Sequence, residues 1–213
     1  MLSRKKKVLA ALGASAALLV AAASIVRRLA GRSDEERAAL PPEAEGYTDD
    51  GYIKDQDCFS AYTYRRIAAD ENSCGCIAAY NIRRAQGHTP SFAEVTREME
   101  AMHYLPGPGP THMHVMRRYL TRYLPGWRES HGRRACLDAA KQSGMGILRY
   151  WEGYVPHFVS YIRTPEGTFR FFNVCDGAED RVFSMEEFLA GHCAAGPVRL
   201  LWWKARERRE AFL

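Results

Sequence analysis

Two cysteines one residue apart, Cys74 and Cys76, stand in the stretch "DENSCGCIAAYN" at residues 70–81, where four polar residues lead into an apolar, helix-like run. Three chemistries fit that pattern: a nucleophile at a helix start, a Cys-Gly-Cys redox pair, or two small core residues. A thiol is an effective nucleophile only as a thiolate, which needs a base to take its proton and a group to orient the base. The first turn of a helix helps, because its unpaired N–H groups and dipole favour an anionic sulfur. Cys74 falls at such a start, after Asp70, Asn72 and Ser73, all residue types that cap helices. Gly75 would let a substrate backbone approach closely. Cys76 follows two positions on, roughly 200° around a helix, and is expected to pack away from the site.

The base candidate is His157, which opens the apolar run "HFVSYIRT" behind "GYVP". The orienting candidate is Asn173, in "FRFFNVCDG". The turn "PEG" at 165–167 makes a hairpin of the two runs, and its register brings residue 157 opposite about residue 174. An amide there can hold an imidazole in place. Asp176 is the alternative third member. Among the other histidines, His112 and His114 diverge on a helix and, with His103, are a weak metal-ligating set. The cysteine spacings match no zinc signature. No metal-binding or cofactor-binding residue is therefore assigned.

The elements that must carry these residues change type midway. Residues 74–86, 91–102, 111–124 and 133–144 have helical apolar spacing. Ser91 with Glu94, and Ser184 with Glu187, have capping-box spacing. Residues 145–151, 157–164, 168–174 and 198–205 are β-branched and aromatic, as strands are. Helices first and an antiparallel sheet afterwards is an α+β layout.

The motifs "NSCGCIAAYNIRR", "GYVPHFVSYIR" and "TFRFFNVCDG" together resemble papain-like cysteine peptidases of the bacteriocin-processing, double-glycine type. The resemblance spans roughly residues 58–203. It implies a papain-like fold, with Cys74 as nucleophile, His157 as base, Asn173 as orienting residue and a peptide or protein as substrate. Such peptidases carry a glutamine six residues before the nucleophile to bind the oxyanion, and here that position is Ala68. The amide closest in sequence is Asn72, which together with the Cys74 backbone N–H is the expected oxyanion donor pair. Losing one such donor costs about 10²–10³ in rate. The departure keeps a second reading open, an inactive papain-like module that holds a peptide without cleaving it. A thiol-redox protein is the third.

Charge and hydropathy divide the chain into three parts. Seven of its 30 basic residues and none of its 25 acids lie in residues 1–32, so the rest is slightly acidic and the basic balance gives no nucleic-acid footprint. Residues 8–26, "VLAALGASAALLVAAASIV", are free of charge and close to the ~20 residues that span a bilayer. They are expected to form a single-pass signal anchor with the domain outside the cytoplasm, a cleaved signal being the alternative. Residues 33–57 are acidic and contain Pro-Pro, the composition of a linker. The hydrolase-like domain is expected at 58–213.

Overall fold

The computed structural model describes residues 44–104, 107–153, 155–174, 181–193 and 196–205. The expected anchor at 8–26 and the alternative Asp176 lie outside these residues. Among the described residues no helix is long and apolar enough to cross a membrane.

Two short strands, β1 (Thr63–Tyr64) and β2 (Ile67–Ala68), form an antiparallel pair and lead into a single turn, α1 (Ala69–Asn72). The central helix α2 (Cys74–Ala85) follows directly, then α3 (Phe92–Ala101) and α4 (Met113–Tyr123). Strand β3 (Arg128–His131) and helix α5 (Arg133–Ala140) precede the long hairpin of β4 (Ser143–Glu152) and β5 (Val155–Arg163). Strands β6 (Phe169–Phe172) and β7 (Arg181–Phe183), helix α6 (Met185–His192) and strand β8 (Arg199–Lys204) complete the described chain. The larger sheet has the order β3-β8-β4-β5-β6-β7, every pair antiparallel. The organisation is thus mixed: helices and an antiparallel sheet.

The sheet separates two apolar layers, as the period-2 alternation of its strands requires. Ile147, Phe158, Leu201 and Trp203 face α2, α3 and α4, meeting Ile77, Val95, Met99, Met116 and Leu120. Leu148, Tyr150, Val159 and Leu200 face the other way, onto Cys136 and Ala140 of α5 and Phe188 and Leu189 of α6. Helix α2 is buried on all sides over its first nine residues, so its sequence shows little polar face there. Arg83 near its end is tied to Glu94 at 3.0 Å and Glu98 at 2.7 Å of α3, and donates to Tyr119 of α4 at 3.1 Å.

The assignment of residues 33–57 to a linker needs correction in its second half. Tyr47 bridges to Ile53, Ile53 is fully buried, and a 3₁₀ turn runs from Asp57 to Phe59. The stretch has too few apolar residues to show a period, yet each is inserted singly: Tyr47 against Phe59 and Tyr80, and Tyr52 stacked on Phe172. Its backbone is fastened by Asn81 of α2, which accepts from the Ile53 N–H and donates to the Ile53 carbonyl, both at 2.8 Å.

Candidate active site

The polar residues before Cys74 do not act as a simple cap. They form α1, whose last N–H bond runs from Ser73 to the Ala69 carbonyl, and α2 restarts at Cys74. Ser73 occupies the N-cap position but its hydroxyl caps nothing, and it is buried without a partner among the described residues. The sulfur of Cys74 therefore sits at a fresh helix start. The Cys74 side is turned towards the first residues of β5, where α2 packs on the sheet.

His157 stands at the rim of β5, across from Tyr150 of β4, and its imidazole lies beside the Cys74 sulfur. Its Nε2 lies 2.8 Å from the backbone oxygen of Asn173. A carbonyl only accepts, so Nε2 carries the proton and Nδ1 is the unprotonated nitrogen of the neutral ring. Burial by itself would push the Cys74 thiol up. The hydrogen bond and charge of His157, with the backbone N–H groups of Phe158 and Gly75, overturn that and hold it below the ordinary thiol value.

Asn173 reaches His157 in a different way from the one its sequence suggests. The side-chain amide does not orient the ring; the main-chain carbonyl does. The side chain turns back to the N-terminal segment, where Oδ1 accepts from the Gln56 N–H at 3.0 Å and Nδ2 donates to Gln56 Oε1 at 3.3 Å. The Asn173 N–H bonds the Lys54 carbonyl at 3.1 Å. The residue has φ +61°, in the left-handed region that asparagine tolerates better than most residues. This twist comes just after β6 and allows carbonyl and side chain to serve two partners. The last β5–β6 pair is Ser160 with Phe172, so His157 and Asn173 meet beyond the regular ladder.

Asn72, the expected oxyanion donor, is buried, and its amide is already committed. Nδ2 donates to the Tyr64 carbonyl at 2.8 Å and the Gly109 carbonyl at 3.4 Å. The atom left over is Oδ1, an acceptor, which cannot stabilise an oxyanion. Gly75 also has another use. A Cβ there would lie 2.5 Å from Cβ of Thr111, so the glycine admits Thr111 and not a substrate backbone.

No family model matches this chain, and no curated protein matches it. Among solved structures it is similar to the peptidase domain of Streptococcus ComA, a bifunctional ABC transporter involved in a quorum-sensing pathway. The TM-score is 0.44 at 12% identity, over 63% of this chain and 93% of that one.

Cys76, as its helical spacing implies, has a separate environment. It is fully buried, and burial followed by the nearby Cys74 sulfur pushes its thiol well above the ordinary value. Tyr64 and Thr111 lie beside it, Thr111 donates to the Tyr64 hydroxyl at 3.1 Å, and that hydroxyl continues to His103 Nε2 at 2.8 Å. Neither Cys74 nor Cys76 is in a disulfide. The residue that the sequence did not single out is Gln56. Besides its two bonds with Asn173, its amide donates to the Asp70 carbonyl, one turn before Cys74. Gln56 thus links the helix start to the residue that holds the imidazole. Nothing in its local pattern marks it, because both partners are distant in sequence.

Proposed function

We propose that the protein is a papain-like thiol hydrolase that cleaves a peptide or amide bond through Cys74, His157 and Asn173. The observation that supports it best is the ordered line from the Cys74 sulfur, through the His157 ring, to the Asn173 carbonyl. Deprotonated Cys74 attacks the carbonyl carbon while the proton rests on His157 Nδ1. Collapse of the tetrahedral intermediate breaks the C–N bond, and His157 gives its proton to the departing amine. Water, deprotonated by the same nitrogen, then hydrolyses the thioester and restores the thiol. The Cys74 N–H at the helix start is one donor for the oxyanion. Gln56 is the second: one hydrogen of its amide goes to Asp70 and the other is uncommitted among the described residues. In this role it replaces the glutamine absent at position 68. Residues 8–26 would hold the enzyme at a membrane, with the hydrolase domain outside the cytoplasm.

The pH dependence of Cys74 alkylation by iodoacetamide tests this reading. The lowered thiol gives a reactive thiolate at pH values below those of an ordinary cysteine. In His157→Ala the largest lowering influence is gone and burial remains, so the inflection moves up. Cys76, with its raised thiol, stays unlabelled through neutral pH. A Cys74 inflection that is the same in wild type and His157→Ala removes the proposal. A second reading, a papain-like module that binds a peptide without turnover, has the committed amide of Asn72 in its favour. A Cys74 that alkylates with the His157-dependent profile but releases no product from any peptide pool selects it.

A further inference from the structure

Arg149 is the cation next to the candidate nucleophile, whose thiolate favours its charge, and among the described residues no carboxylate pairs with it. It lies in the middle of β4, where Ile147, Arg149 and Trp151 share the face turned to α2. Its partner across the ladder is Phe158, whose backbone N–H lies near enough to the Cys74 sulfur to favour the thiolate. Cross-strand partners have Cβ atoms about 4.5–5.5 Å apart on one face, so the strand register itself delivers the guanidinium to the sulfur's end of α2. At the other end of that helix, Asn81 meets Ser160 at 3.0 Å, which fixes the direction.

The guanidinium is half-buried and makes neither a hydrogen bond nor an ion pair among the described residues; its contact is the Trp151 ring, 5.5 Å from Cζ to centroid. Its other ladder partner is Arg199, a like charge, and His112 at the head of α4 is near enough to feel it. Like charges directly opposite destabilise a sheet, and a partly desolvated guanidinium with five donors unused destabilises it further. Trp151 adds a second donor without a partner among the described residues, a buried indole N–H. Two unused donor groups on one sheet face, beside a nucleophile, describe a site for an acceptor that is anionic.

We propose that Arg149, supported by Trp151, binds a carboxylate of the substrate beside the bond that Cys74 attacks. The inference rests on the hydrolase reading for its meaning, but the binding site stands on its own geometry. Two sources supply the same group: a free peptide C-terminus, and an Asp or Glu side chain. Arginine suits either, because its fork matches the two carboxylate oxygens.

The test uses four probes on the full chain: Ac-Ala-Ala-OH against Ac-Ala-Ala-NH2, and Ac-Ala-Glu-Ala-NH2 against Ac-Ala-Gln-Ala-NH2. Binding is read from the Arg149 Nε–H and Trp151 indole N–H resonances, so it needs no reactive Cys74. The site predicts that the acid of at least one pair shifts both resonances and binds about tenfold or more tightly than its amide. Arg149→Gln abolishes that preference and Arg149→Lys keeps part of it. The first pair reports a C-terminus and the second an acidic side chain. Equal affinities within both pairs, or a preference that survives in Arg149→Gln, overturn the proposal. A second readout connects the site to the chemistry: the preferred acid protects Cys74 from iodoacetamide in wild type but not in Arg149→Gln. Carboxylate binding with a Cys74 profile that ignores His157 sinks the hydrolase reading and leaves the anion site. A His157-dependent Cys74 with no carboxylate preference does the reverse.

Discussion

Asn173 shows how one residue type can satisfy two demands that its side chain alone would not. Its backbone turns left-handed, its carbonyl holds His157 Nε2 at 2.8 Å, and its amide is anchored on Gln56. The main-chain role separates two substitutions. Asn173→Gly keeps the carbonyl and enters the left-handed region without a Cβ penalty. Asn173→Ala loses the same amide bonds and also pays about 1–2 kcal/mol for a left-handed β-carbon. Asn173→Gly should therefore retain most of the Cys74 alkylation profile, while Asn173→Ala moves towards His157→Ala. Equal losses in both variants would return the orienting role to the side chain. That positions 157 and 173 come near each other was legible in the sequence, because the turn at 165–167 folds their two strands together, although they meet beyond the regular ladder. Which atom of Asn173 does the holding was not, since a left-handed residue just past a strand leaves no periodic trace. Asn72 and Gln56 differ for a related reason. Both are amides, but only the long-range partners decide which has a donor to spare.

At the scale of elements, the restart of α2 at Cys74 depends on a close approach by the segment before α4. Thr111 is buried against Gly75 and donates to the Tyr64 hydroxyl at 3.1 Å. Gly109 in the same segment receives the Asn72 amide. The "LPGPGP" stretch, as far as it is described, is thus packed beside the helix start. Gly75→Ala would drive a β-carbon into Thr111, an overpacking cost of about 1–3 kcal/mol. Thermal unfolding should show it as a drop of about 2–4 °C per kcal/mol, and Thr111→Gly in the same chain should recover much of the loss. Recovery would fail to appear if Gly75 were kept for backbone conformation. The helices and long strands could be read from sequence, since their apolar stripes are strong. The full capping box at Ser184 and Glu187 is present, but Ser91 keeps only half of its box because Glu94 reaches instead to Arg83. Strand β3, "RESH", was not legible. It is a polar edge strand held by pairing with β8 and by the Arg117–Glu129 ion pair at 2.6 Å, neither of which has a local signature.

Across the whole molecule, the N-terminal segment, the central helix and the sheet meet at Asn81. The residue is 1% exposed, and its amide bonds both backbone groups of Ile53 and the Ser160 hydroxyl at 3.0 Å. The helical apolar spacing of residues 74–86 puts residue 81 on the side of α2 that is buried, as found. What the stripe hides is that a polar residue there clasps a segment that composition marks as linker. The same segment, one to three residues later, carries Lys54 and Gln56, which hold Asn173 and through it His157. Asn81→Ala strands the Ile53 N–H and carbonyl in the interior, at about 1–3 kcal/mol for each group left unpaired. Denaturant unfolding should register that loss, and amide exchange at Ile53 should accelerate. Asn81 is seven residues along α2 from Cys74, about 10 Å at helical rise, too far to touch the sulfur. If the N-terminal segment truly supports the site, Asn81→Ala must nonetheless shift the Cys74 alkylation profile upwards, in the direction of His157→Ala. Faster exchange at Ile53 with an unchanged Cys74 profile would mean that the clasp stabilises the fold without positioning the imidazole.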